Sequence, residues 1–255
     1  MQKIKQGHIN IDINEGLATI SFYHPSHNSL PSNLLSQLAE NIMKAGQNND
    51  VKLILLKSDG DRTFCAGASF DELVAIDNEI QGKQFFMGFA NVINAVRKCG
   101  KIVIGRVQGK AVGGGVGLAS AVDYCMATKF ASVKLSELAV GIGPFVIGPA
   151  VQRKIGLSAF SHLAISAKEW QTANWAKEKG LFQDVFDTSE LMDDYLVRFT
   201  KMLLSMNPEA LSGLKKIFWE GTDNWDDLLA ERAATSGTLV LSDFSKKTIQ
   251  GFLKG

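Results

Sequence analysis

Hydrophobic and polar positions divide this chain into two textures that meet near residue 157. Up to that point, short β-branched runs alternate with stretches of helical spacing. Ile9–Ile13 and Leu17–Phe22 alternate at period two around Asn14-Glu15-Gly16, which predicts a hairpin. Val51–Lys57 (VKLILLK) and Ile102–Val107 (IVIGRV) read as buried strands, and Tyr124–Thr128 as a further one. Between them, Asn33–Ala45 and Gln84–Val96 place apolar residues on one helical face. Strand–helix alternation of this kind predicts an α/β fold with parallel pairing and helices packed outside. After Gly156 the pattern is helical almost to the end, with amphipathic segments at Glu190–Leu204, Glu209–Phe218 and Asp226–Val240. Asn207-Pro208-Glu209 reads as an N-cap, a first-turn proline and an early acid. No low-complexity linker intervenes, so the expectation is a core over residues 1–190 with a packed helical extension over 191–255.

Bulk composition narrows the class. With 255 residues, 45% hydrophobic and 21% charged, the chain has ample material for a core. A net charge of +1, with no basic stripe, argues against a nucleic-acid partner. No apolar run reaches the roughly 18 residues that a membrane span requires. The opening MQKIKQGHINIDINEGLATISF lacks the apolar core of a signal peptide. Cys65, Cys99 and Cys125 are scattered without metal-type spacing, which implies reduced, buried thiols in a cytoplasmic protein and no metal. A nucleophilic Cys65 is disfavoured, because no histidine is near it in sequence. Trp170, Trp175, Trp219 and Trp225 suit core or subunit contacts, and His8, His24 and His162 strand, surface or packing roles.

Candidate chemistry concentrates in GKAVGGGVGL, residues 109–118. Each glycine inside an element costs roughly 0.5–1 kcal/mol relative to alanine, so the cluster marks a place that needs bare backbone. It lies between a strand and a helix-like Val116–Val122, where free N–H groups suit an anion or a developing oxyanion. Close packing of helix on sheet would also explain it. A dinucleotide fingerprint fails at Leu118, where a third small residue is needed, and a phosphate loop fails for want of GK followed by Ser or Thr. A second small-residue stretch, Phe64-Cys65-Ala66-Gly67-Ala68-Ser69, follows VKLILLK and precedes the helix-like FDELVAI. Two such strand ends can each aim an N–H at one carbonyl oxygen.

Taken in order, FCAGASFDEL, IGRVQGKAVGGGVGLASAVDYCMAT and KLSELAVGI resemble the crotonase (enoyl-CoA hydratase/isomerase) superfamily, and the resemblance covers essentially the whole chain. It implies a spiral of repeated ββα units with a C-terminal helical extension, assembled as a homotrimer or homohexamer. It also implies an acyl-CoA substrate, with coenzyme A arriving as part of that substrate and no permanently bound cofactor. The oxyanion-hole amides would belong to Ala68 and Gly114. His27 and Asn28 of HPSHNSL, with Ala66 and Ala68, would contact the CoA moiety. Lys246 and Lys247 read more simply as a solvated face. Ser69 stands where the common AGAD pattern has aspartate.

The family's hydratases of the best-known type use two glutamates, and the matching positions here are Gly117 and Glu137. Glu137 is thus the catalytic candidate, with Gly113, Gly117, Leu138, Gly141, Pro144 and Phe145 expected around the substrate. A desolvated Glu137 would have a raised pKa suited to proton transfer. One acid suits a Δ3–Δ2 enoyl-CoA isomerase. The wider texture, GGGVGL with GPFVIGP beyond, is nearest to the methylglutaconyl-CoA and carboxygeranoyl-CoA hydratase branch. There Glu137 would serve both steps, or a substrate carboxylate would help to hold the water. Hydratase stands slightly ahead on this reading, with isomerase and a non-catalytic acyl-CoA binder as alternatives.

Overall fold

The computed structural model describes residues 7–252, so the first six residues of the opening segment and the last three of the extension lie outside it. Strands β1 (His8–Asn14) and β2 (Leu17–Tyr23) form the expected antiparallel hairpin. Its turn holds Glu15 at φ 47° and Gly16 at φ 90°, the left-handed pair that a two-residue hairpin needs. Helix α1 (Ser32–Gln47) leads to β3 (Leu53–Ser58), and β4 (Thr63–Cys65) leads through short α2 (Phe70–Val74) to α3 (Glu79–Lys98). The next turns are β5 (Ile102–Val107), β6 (Lys110–Val112) and α4 (Gly114–Ala121), then β7 (Tyr124–Thr128), β8 (Ser132–Lys134) and α5 (Gly148–Ile165).

This order is a spiral. Each long strand enters a six-stranded sheet, β1-β2-β3-β5-β7-β10, whose pairs are parallel except for the hairpin. Each short strand that follows enters a second sheet, β4-β6-β8-β9, parallel through its first three members. Fully buried runs such as Leu53–Leu56 and Ile102–Gly105 read as continuous apolar strands because both faces of the large sheet are covered. The consequence for function is geometric. The C-terminal ends of β4, β6 and β8 release Ala66–Ala68, Gly113–Gly114 and Ser136–Glu137, three stretches far apart in sequence that line one cavity.

The region after Gly156 departs from the helical reading. It contributes β9 (Gln171–Thr172), antiparallel to β8, and β10 (Asp184–Phe186), which closes the large sheet against β7. Both are two or three residues long, too short to show a period against helix α6 (Ala173–Glu178) between them. The remaining helices are α7 (Ser189–Leu204), α8 (Pro208–Phe218), α9 (Trp225–Leu239) and α10 (Asp243–Phe252). Asn207 caps α8 as expected, accepting from the amides of Glu209 and Ala210. Met192 and Leu196 of α7 cover Leu53, Leu55, Ile102, Ile104 and Met126 on one face of the large sheet. Helix α9 crosses α3 at two glycines, where a Cβ on Gly82 would lie 2.7 Å from the Gly237 Cα. No helix among the described residues is long and apolar enough to cross a membrane.

A buried ion pair ties α8 to the sheet. Asp123 accepts from Lys215 Nζ at 2.7 Å, Trp219 Nε1 at 2.9 Å and the Val103 amide at 2.8 Å. The Asp123 and Lys215 side chains are 1% and 2% exposed, so each charge depends on the other's presence.

Candidate active site

Each of the three glycines is bare for a different reason. Gly113, at φ 52°, ends β6 by donating to the Lys134 carbonyl at 2.9 Å, and a Cβ there would lie 2.9 Å from Glu137 Oε1. A Cβ on Gly114 would meet the Phe89 ring at 2.3 Å, and one on Gly115 the Cys65 carbonyl oxygen at 2.3 Å. The cluster therefore brings backbone against a carboxylate, an aromatic ring and the neighbouring loop. Close packing, one of the two explanations open from sequence, holds here.

Gly114 is the first residue of α4, so its N–H has no intrahelical acceptor. The Ala68 amide likewise has no acceptor among the described residues, because its neighbours take the local bonds. Leu30 N–H donates to Gly67 O at 2.8 Å, Ser69 N–H to Leu30 O at 3.2 Å, and Ser29 Oγ to Ala68 O at 2.8 Å. The two loops abut, since a Cβ on Gly67 would lie 3.7 Å from the Gly114 nitrogen. Ala68 and Gly114 thus line the cavity from separate loops, each with an amide that finds no acceptor among the described residues.

Glu137 opens a 3-10 turn, Glu137–Val140, directly after β8. Its Oε2 is buried and has no hydrogen-bond partner. Burial pushes the carboxyl up from 4.5 to about 7, offset only in part by its own backbone amide. A carboxyl near 7 is poised to take and return a proton at neutral pH.

The cavity, of about 740 Å³, brings together Ala66, Ala68, Gly113, Gly114, Glu137, Pro144 and Phe145. Three expected lining residues are not there. Gly117 is buried inside α4, where a Cβ would lie 2.5 Å from Ile147 Cγ2, so Ile147 fills the space in front of it. Leu138 turns outward on the 3-10 turn and is 49% exposed. Gly141, at φ 84°, reverses the chain against Ser245 and Phe244 of α10. A side chain's direction in a turn follows from backbone angles that adjacent residue types do not reveal.

The apolar wall comes instead from Phe85, Phe86 and Phe89 of α3, with Ile142, Val146 and Ile147. The amphipathic pattern of α3 signalled a buried face, but not that part of that face lines a cavity.

The HPSHNSL loop also has a definite task. His27 and Asn28 adopt left-handed φ values of 54° and 56°. His27 is exposed, whereas Asn28 is buried and both of its side-chain N–H groups are engaged. Asn28 Oδ1 accepts from the His24 amide, and Nδ2 donates to the carbonyls of Asp59 and Thr63, each at 2.9 Å. Asn28 thus ties the HPSHNSL loop to the carbonyls of Asp59 and Thr63, and its side chain has no N–H left to donate to a CoA group. Ser69 caps α2 by accepting from the Glu72 amide at 3.4 Å. Cys65 is buried beneath this loop and its thiol is pushed up to about 12, which leaves it inert as a nucleophile. Lys246 and Lys247 are exposed on α10.

A two-sheet spiral whose short strands deliver two free amides and one buried acid is the crotonase architecture. The comparisons agree. The family model described as enoyl-CoA hydratase/isomerase matches residues 12–254, and the chain belongs to that family. A peroxisomal Delta(3,5)-Delta(2,4)-dienoyl-CoA isomerase from Arabidopsis thaliana is 27% identical over 209 residues, 76% of this chain and 73% of the relative. A short-chain-enoyl-CoA hydratase from Clostridium acetobutylicum is 26% identical over 229 residues, 89% and 87% of the two chains. In fold, the crystal structure of an enoyl-CoA hydratase from Bacillus halodurans superposes with a TM-score of 0.88 at 18% identity, covering 95% of this chain and 99% of that one.

Proposed function

We propose that the protein is an acyl-CoA isomerase that shifts a double bond from the 3- to the 2-position, using Glu137 alone. The thioester carbonyl oxygen sits between the amides of Ala68 and Gly114. The Glu137 carboxylate takes a proton from C2, and the electron pair of that C–H bond spreads through a dienolate onto the thioester oxygen. Glu137 then returns the proton at C4, and the double bond rests between C2 and C3. Charge develops on the thioester oxygen, where each such N–H donor is typically worth about 10²–10³ in rate.

One observation carries the choice: Glu137 is the sole carboxylate lining the cavity among the described residues, and Ile147 fills the space in front of Gly117. Hydration asks for one group to activate water and another to handle the proton. The order suggested by sequence texture, hydratase first, is therefore reversed in this reading. A non-catalytic binder is disfavoured by the unpartnered Glu137 Oε2, since an ordinary structural acid would be solvated or paired.

The deciding experiment incubates the protein separately with a short 3-enoyl-CoA and its 2-enoyl isomer. Conjugated thioester absorbance should grow from the first and persist with the second. Absorbance lost from the 2-enoyl compound in water would make the enzyme a hydratase. No change with either substrate would leave only binding.

A further inference from the structure

The cavity wall is apolar or small almost throughout, yet two cations belong to it, Lys134 and Lys168. Neither forms an ion pair among the described residues. Lys134 is half-buried at the end of β8, and its carbonyl is the acceptor that sets Gly113. It precedes Glu137 by three residues, at most about 10 Å of chain. Its ammonium lies 4.6 Å from the centre of the Trp170 ring, and Lys110 approaches the same ring at 5.2 Å. Trp170 is 40% exposed and follows Lys168 by two residues.

An indole beside two ammonium groups attracts both through its π face and orders long side chains that would otherwise sample many rotamers. The arrangement gathers positive charge at one part of an otherwise greasy wall, and no carboxylate among the described residues pairs with it. A lysine in such a place without a partner is a ready binding group for an anion that arrives with the ligand.

We infer that Lys134, assisted by Lys168 and steered by Trp170, binds an anionic group of the acyl thioester. That anion is a carboxylate at the far end of the acyl chain, whose oxygens accept from an ammonium donor. The inference rests on the acyl-CoA reading above but needs no turnover, only binding.

Equilibrium binding of two saturated, unreactive thioesters separates the possibilities. Butyryl-CoA is neutral in its acyl part, and glutaryl-CoA carries a terminal carboxylate. The same two acyl groups on pantetheine lack the nucleotide phosphates. If the acyl carboxylate is bound, Lys134→Met weakens glutaryl-CoA and glutaryl-pantetheine roughly 10–100-fold, and the butyryl compounds stay within about twofold. If Lys134→Met instead weakens both CoA thioesters by a similar factor and neither pantetheine compound, the lysine serves the nucleotide and the inference is overturned. Lys134→Arg keeps most of the glutaryl affinity, and Lys168→Met gives a smaller loss of the same pattern. Unchanged affinities for all four ligands in a folded Lys134→Met protein overturn the inference and leave the Glu137 reading standing. Failure of the wild-type protein to bind any of the four overturns both.

Discussion

Replacing Glu137 with glutamine should make the protein more stable at neutral and alkaline pH, and the gain should follow the titration of one carboxyl. In the folded state burial raises that carboxyl from 4.5 to about 7, so the fold disfavours its ionised form. The sign follows from proton counting. Between these two values the folded state keeps a proton that the unfolded state has released, so stability falls as pH rises. The fall begins near the unfolded value and levels off above the folded one. A displacement from 4.5 to about 7 corresponds to about 3 kcal/mol at 25 °C. Glutamine has nearly the same shape and does not titrate, so the difference between variant and wild type isolates this one group. Paired urea titrations at fixed protein concentration from pH 4.5 to 8 should show the variant's relative stability rising by about that amount. Any constant offset from the new amide cancels across the pH series. A difference that does not move with pH would refute the reasoning, because Glu137 would then be solvated or paired. A difference moving the other way would mean that the fold favours the carboxylate.

Three further expectations can be checked directly. The kcat/KM for 3-enoyl-CoA should rise about tenfold per pH unit below about 7 and level off above it, because the base must be ionised; a profile falling through the same range would make Glu137 an acid. Gly113→Ala should lower kcat about 100-fold, since a Cβ at φ 52° would lie 2.9 Å from Glu137 Oε1 and displace it; near wild-type turnover in steady-state assays would show that the carboxylate needs no such cradle. Lys215→Met should cost about 3–5 kcal/mol in denaturant unfolding by leaving Asp123 charged and buried, yet leave turnover per folded molecule unchanged; a cost below about 1 kcal/mol would mean that Asp123 finds another partner.

Patterns with a short period were legible in the sequence because they are local. The hairpin, the buried strands Leu53–Ser58 and Ile102–Val107, and helices α1, α3, α7, α8 and α9 all follow from apolar spacing and turn chemistry within windows of a few residues. The glycine cluster and the small residues of Ala66–Ala68 were visible as places needing bare backbone, and Glu137 as the acid in reach of them through the family resemblance. Residue types alone already excluded a dinucleotide fingerprint and a phosphate loop.

What depended on the third dimension was which atoms meet. Two strands of two and three residues, β9 and β10, exist because an existing sheet edge pairs with them, not because their own pattern demands it. Ile147 stands thirty residues from Gly117 in the chain, and only the packing of α5's approach against α4 puts it in that glycine's empty space. Asn28 looked like a ligand contact, but both of its side-chain N–H groups donate to the carbonyls of Asp59 and Thr63, 31 and 35 residues further along the chain. Leu138 and Gly141 left the cavity for the same reason that Phe89 and Lys134 entered it: a side chain's direction is fixed by the backbone turn and the neighbours it packs against. Spacing along the chain determined what could form. Only folding decided which groups share the cavity, because burial and distance arise between residues remote in sequence.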